Sequence, residues 1–122
     1  MQKVTIRDEI ASLNEYWSQK VIAAANGQLF KVAKGTGDIN WHQHDDQDEL
    51  FILYGGQMAI ELRTEEFPLA EGDLFVVPQG MEHRVRAADG ATFLIVGLNI
   101  TSTAEGGKPT WSFANQGEST WQ

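Results

Sequence analysis

The chain has 122 residues and no cysteine, with nine Lys and Arg against seventeen Asp and Glu for a formal charge of −8. That length suits one domain with its own core. The lack of cysteine excludes disulfides and thiolate ligands, and the acidic balance argues against nucleic acid and anionic membrane surfaces as partners. No apolar run nears the roughly 20 residues of a membrane span, and the first nine residues lack the apolar core of a secretion signal. The expectation is a cytoplasmic protein.

Residues 1–19 read as a helical segment packed on the outside of a barrel. Within it Ile10, Leu13, Tyr16 and Trp17 recur at helical spacing, which predicts a helix from Asp8 to Ser18 capped by Asp8 or Thr5. Asn26-Gly27 separates the apolar runs Val21–Ala25 and Gln28–Lys34, the strongest short-range signal of a β-hairpin. Gly35 to Asp38 then reads as a flexible connection. Strands follow over Glu49–Tyr54, Met58–Leu62, Leu74–Val77, from His83, and over Phe93–Leu98, with turns at Gly55-Gly56, Thr64–Glu66, Ala70–Asp73 and Pro78–Gly80. The barrel is thus expected over residues 20–100. Residues 101–122 read as a polar, glycine-rich tail whose Trp111, Phe113 and Trp121 are unusual for disorder.

All three histidines fall in two runs, Asn40 to Glu49 and Gly72 to His83. On an extended segment, residues two apart face the same way, so His42 and His44 form a ligand pair. The acidic run Asp45–Asp48 reads as a turn that lets Glu49 fold back toward them, and His83 supplies a third imidazole. Three nitrogens and one carboxylate oxygen suit a divalent transition ion, Fe, Mn, Ni, Co, Cu or Zn, better than Mg or Ca. The alternative is a barrel whose polar groups satisfy one another. Parity places Asn40, Phe51, Leu53, Met58, Ile60 and Val85 around the site, and turns Ile39, Trp41, Leu50, Ile52, Arg84 and Arg86 outward. The outward apolar set predicts that a second subunit covers one sheet, giving a homodimer.

These runs resemble the paired motifs of the cupin superfamily. His42, His44, Glu49 and Gly56 match the first motif, and Gly72, Pro78, Gly80 and His83 match the second. There are two departures. Four residues separate Gly37 from His42 where the motif has five, and Ala87 stands where the second motif has Asn. The resemblance implies an all-β jelly-roll barrel over about residues 28 to 100, of the small single-domain type labelled mannose-6-phosphate isomerase-like. It also implies a metal held by His42, His44, Glu49 and His83.

Two functions follow. One is a metal-dependent enzyme of dioxygenase, isomerase or lyase type acting on a small organic substrate in a mostly apolar pocket. The other is a non-catalytic module that binds a small ligand or a metal. No second acid–base residue stands out, since Glu82 and Tyr54 are out of register with the site. A phosphosugar enzyme would want Arg or Lys facing the metal, and the strand after His83 offers none on that face.

Overall fold

Asn26 and Gly27 both take positive φ, 54° and 77°, the backbone of a two-residue type I′ turn. In the computed structural model, which describes residues 2–99, this turn joins β1 (Lys20–Ala25) to β2 (Gln28–Asp38) as an antiparallel pair. β2 runs four residues beyond the expected end. The segment Gly35 to Asp38 is strand because the distant β7 satisfies its backbone, pairing Gly37 with Ala87 and Asp38 with Arg86 after a register shift between Gly35 and Gly37.

β3 (Glu49–Gly56), β4 (Met58–Leu62), β5 (Glu66–Leu69), β6 (Leu74–Val77) and β7 (His83–Gly97) complete an all-antiparallel set. The hydrogen-bonded order is β1-β2-β7-β3-β6, with β5 on β4 and β4 on β7. β5 was not expected, because Pro68 interrupts its pattern. It is a strand nonetheless, and it pairs only with β4, so it lies at an edge where a missing donor is tolerated. The two strands expected after His83 are one. β7 bends near Gly90: its first half lies on β4, its second between β2 and β3. A strand that changes partners in this way makes a corner of the barrel.

The helix is shorter than its periodicity suggests. α1 covers Ile6–Ala11, with Thr5 at the cap position but no side-chain capping bond. Ser12 Oγ bonds back to the Glu9 carbonyl and also accepts from Lys20 Nζ, tying the chain down just past the helix end. Trp17 then takes a φ of 66°, and its N–H donates to the Lys34 carbonyl, so Leu13 to Ser18 is a connection laid against β2. α1 itself packs on β2.

β3 shows how period two builds the interior. Glu49, Phe51 and Leu53 are buried, Leu50 and Ile52 are half-buried, and Tyr54 is exposed. Phe51, Leu53, Met58, Ile60, Val85, Phe93 and Ile95 form one apolar cluster. Each of its larger side chains contributes about 1.5–3 kcal/mol by leaving water. Among the described residues no helix is long and apolar enough to cross a membrane. The tail at 101–122, with Trp111, Phe113 and Trp121, lies outside the described residues.

Candidate metal centre

His83 opens β7 and is fully buried, while His42 sits outside any strand and touches it through a two-way backbone bridge. His42 N–H donates to the His83 carbonyl at 2.9 Å, and His83 N–H returns the bond at 2.8 Å. This local bridge stands in for the expected extended ladder. The turn carrying His44 is fixed from two sides. Gly80 N–H donates to the His44 carbonyl and Gln79 N–H to Asp48 Oδ1, both at 2.8 Å. On the other side the buried Gln47 accepts from the Leu98 and Asn99 N–H groups through Oε1. Gln47 and Gln79 were not identified from sequence, because their partners lie 31 to 52 residues away in the chain.

The result is convergence. His42, His44, Glu49 and His83 each bring one ligand atom to a group in which all lie within 4.8 Å of one another. Glu49 Oε1 stands 3.3 Å from both His44 Nε2 and His83 Nε2. Neighbouring ligand atoms around a divalent transition ion are spaced by about 3–4 Å, given bond lengths near 2.1 Å.

The protonation pattern tests whether an ion fits. His83 Nδ1 lies 2.9 Å from the Met81 carbonyl, and His42 Nδ1 lies 2.6 Å from the Asn40 carbonyl. A carbonyl only accepts, so in each ring Nδ1 carries a proton and Nε2 is the nitrogen left to the site. His83 Nε2 faces Glu49 Oε1 at 3.3 Å. The fit to an ion is carried by His44: its side chain is 9% exposed, and its Nε2 is near the carboxylate in distance yet makes no hydrogen bond, a buried polar atom that a cation would satisfy. Burial lowers the His42 pKa against upward pulls from the Asn40 carbonyl and the Glu49 carboxylate, which favours the neutral ring that can ligate. The four side chains form a group that can hold a metal ion.

Of the residues assigned around the site, Phe51 and Val85 line a small chamber against His42 and Glu49. Leu53, Met58 and Ile60 belong to the core and are not among the chamber's lining. Asn40 is exposed and contributes only its carbonyl, while Ile39 packs inward and lines the chamber. Parity inverted this pair because residues 39 to 41 are not strand, and a period of two cannot be counted through them. Trp41 does face outward, where the guanidinium of Arg63 lies 3.9 Å and that of Arg84 5.1 Å from its ring. Trp17, Gln19, Ala33, Phe93 and Ile95 complete the chamber and were missed. Nothing in the sequence brings Trp17 and Gln19 to the site, and the parity of β2 groups Ala33 with Lys31, a residue that reads as exposed.

A small antiparallel barrel with a buried three-histidine, one-carboxylate group defines a class of metal-capable β-barrel proteins. The cupin domain model matches residues 28–97, and the chain belongs to that family. Its fold is the cupin jelly roll. The uncharacterised protein YdbB of Bacillus subtilis is 36% identical over 67 residues, 54% of this chain and 59% of that protein, so the chain spans under two thirds of that relative. A cupin-2 domain protein of Shewanella frigidimarina shares 34% identity with a TM-score of 0.74, over 76% of this chain and 91% of that one. A Neisseria meningitidis protein of known structure shares 28% identity with a TM-score of 0.73, over 80% and 99% of the two chains.

Proposed function

We propose that His42, His44, Glu49 and His83 hold a divalent transition metal ion and that the chain is a metal-dependent enzyme acting on a small organic molecule. The buried His44 Nε2, 3.3 Å from Glu49 Oε1 and without a hydrogen bond, carries this reading. Such an ion supplies Lewis acidity to a bound oxygen and lowers the pKa of a bound water. The chain's own residues do the rest. The Asn40 and Met81 carbonyls hold two imidazoles in the ligating tautomer, and Phe51, Val85, Phe93 and Ile95 give the neighbouring chamber apolar walls. Arg84 pairs with Glu61 and Arg86 with Asp38, and neither lines the chamber, which favours an uncharged substrate over a phosphorylated one.

A second reading is a binding module that senses or stores a small ligand or the metal itself. It is favoured by the chamber lining, in which the only polar side chains besides His42 and Glu49 belong to Gln19. Metal analysis of protein purified without chelator, then oxygen uptake and product analysis with diols, keto acids and thiols, separates the two. Turnover in the unaltered protein that His44→Ala abolishes supports the enzyme, and His44→Ala should weaken metal binding by about 100-fold or more. Tight ligand binding without turnover supports the module. Equal metal affinity in both proteins would sink both readings.

We also propose a homodimer, with a second copy on the outer sheet face. Registers place Val76, Leu50, Val96 and Phe30 in one row across four strands, with Leu74, Ile52 and Leu94 beside it. An apolar face of this kind pairs with itself without bringing two chains of charge −8 together through their acidic surfaces.

A further inference from the structure

The chamber beside the candidate metal group has a volume of about 20 Å³. That is room for one water molecule and for no organic substrate. A ligand reaching the ion from this side must therefore displace a wall. Phe51, Phe93, Ile95 and Val85 stand on β3 and β7, whose paired backbones hold them in place. Of the lining residues outside the strands, Trp17, Gln19, Ile39 and His42, Trp17 has the largest side chain. It lies in the connection between α1 and β1, outside helix and strand, with Asn14, Glu15 and Tyr16 before it exposed. Its φ of 66° is costly for a residue with a side chain of this size. Two hydrogen bonds seat it, from its N–H to the Lys34 carbonyl at 2.7 Å and from Nε1 to the Thr36 carbonyl at 3.2 Å. Its indole fills the space over Gly35, where a Cβ would come within 2.6 Å of the ring, and its other edge meets Phe93 at 6.2 Å between centroids.

We propose, resting on the metal reading above, that Trp17 is the specificity-determining wall of the site. The seated indole disfavours ligands with a bulky body, and its displacement opens space for an apolar, aromatic-sized body whose oxygen donors reach the ion. The lining sets the class. Apart from His42 and Glu49 it is aliphatic and aromatic except for the amide of Gln19, so an uncharged molecule with one chelating end fits, and a sugar phosphate or a dicarboxylate does not.

The test uses the cobalt(II)-loaded protein and two chelators with the same head and different bodies, acetohydroxamate and benzohydroxamate, titrated against the visible cobalt bands. Trp17→Ala should raise the preference for benzohydroxamate over acetohydroxamate by about tenfold or more, since a phenyl body then finds apolar cover. Trp17→Phe should fall between. Gly35→Ala should act like Trp17→Ala, because its added methyl evicts the indole while leaving Trp17 itself in the chain. Cobalt and acetohydroxamate affinities should stay within about twofold throughout, the change expected where the ligand group itself is untouched. A normal cobalt spectrum with an unchanged preference in both Trp17→Ala and Gly35→Ala would overturn the role of Trp17 alone. So would equal weakening of both chelators, which marks general loosening. No cobalt bound by the unaltered protein would overturn the metal reading and this inference with it.

Discussion

Lys31 is the largest of the fully buried side chains, an ammonium group enclosed in the barrel with its Nζ donating to the Asn99 carbonyl. Burial lowers its pKa from 10.5 to about 8, against a smaller upward pull from the Glu49 carboxylate. The folded state thus binds fewer protons than the unfolded state between pH 8 and 10.5. Stability contributed by this group is full above 10.5 and is lost as pH falls to 8, a swing of about 3 kcal/mol at 1.36 kcal/mol per unit. Urea unfolding of the metal-free protein across that window should show the rise, and Lys31→Met should remove it; parallel profiles for the two proteins would refute the assignment. No sequence pattern marks Lys31 as buried beyond its place in an alternating strand, where a lysine normally reads as exposed. The four candidate ligands were legible because their chemistry is rare and their spacing matches a known motif. The unsatisfied His44 Nε2 that argues for an ion needed the position of the Glu49 carboxylate.

The barrel corner gives an element its shape through one close approach. Gly56 closes β3 with a φ of 82°, and a Cβ there would lie 2.4 Å from the Gly90 carbonyl oxygen. β7 exchanges β4 for β3 as its partner near Gly90, so the two glycines meet where that exchange occurs. Gly56→Ala combines left-handed strain with a backbone clash and should cost about 3 kcal/mol or more, read as a lowered thermal midpoint. A midpoint within a degree or two of the unaltered protein would mean that the corner gives way easily. Sequence anticipated Gly55-Gly56 as a turn, but not that strand pairing continues through it. The same limit explains β5 and the extension of β2: their backbone partners are distant in sequence, and local pattern does not reveal a ladder formed at long range. For β3, flanked by β6 and β7 over residues 50–52, period two predicted the buried face correctly.

At the scale of the whole molecule, the exposed edge of the apolar face offers the sharpest prediction. Leu74 is 59% exposed and Val76 43%, both on the edge strand β6 and in register with Ile52 and Leu50. The unaltered protein should sediment as a dimer, and Leu74→Glu with Val76→Glu should give a folded monomer, since paired like charges in an apolar interface cost far more than they do in water. A unaltered protein that sediments as a monomer at all concentrations would refute the dimer. Sequence alone determined the fold family, the hairpin at Asn26-Gly27, the alternation of the central strands and the four residues of the candidate metal group, because each is carried by local period, by turn chemistry or by a motif of fixed spacing. Only the tertiary structure decided that Ile39 rather than Asn40 faces the chamber, that β7 is one bent strand, that Gln47 and Gln79 hold the turn carrying His44, and that Trp17 lines the chamber. Those features depend on contacts between segments far apart in the chain, and such contacts leave no period and no spacing to read.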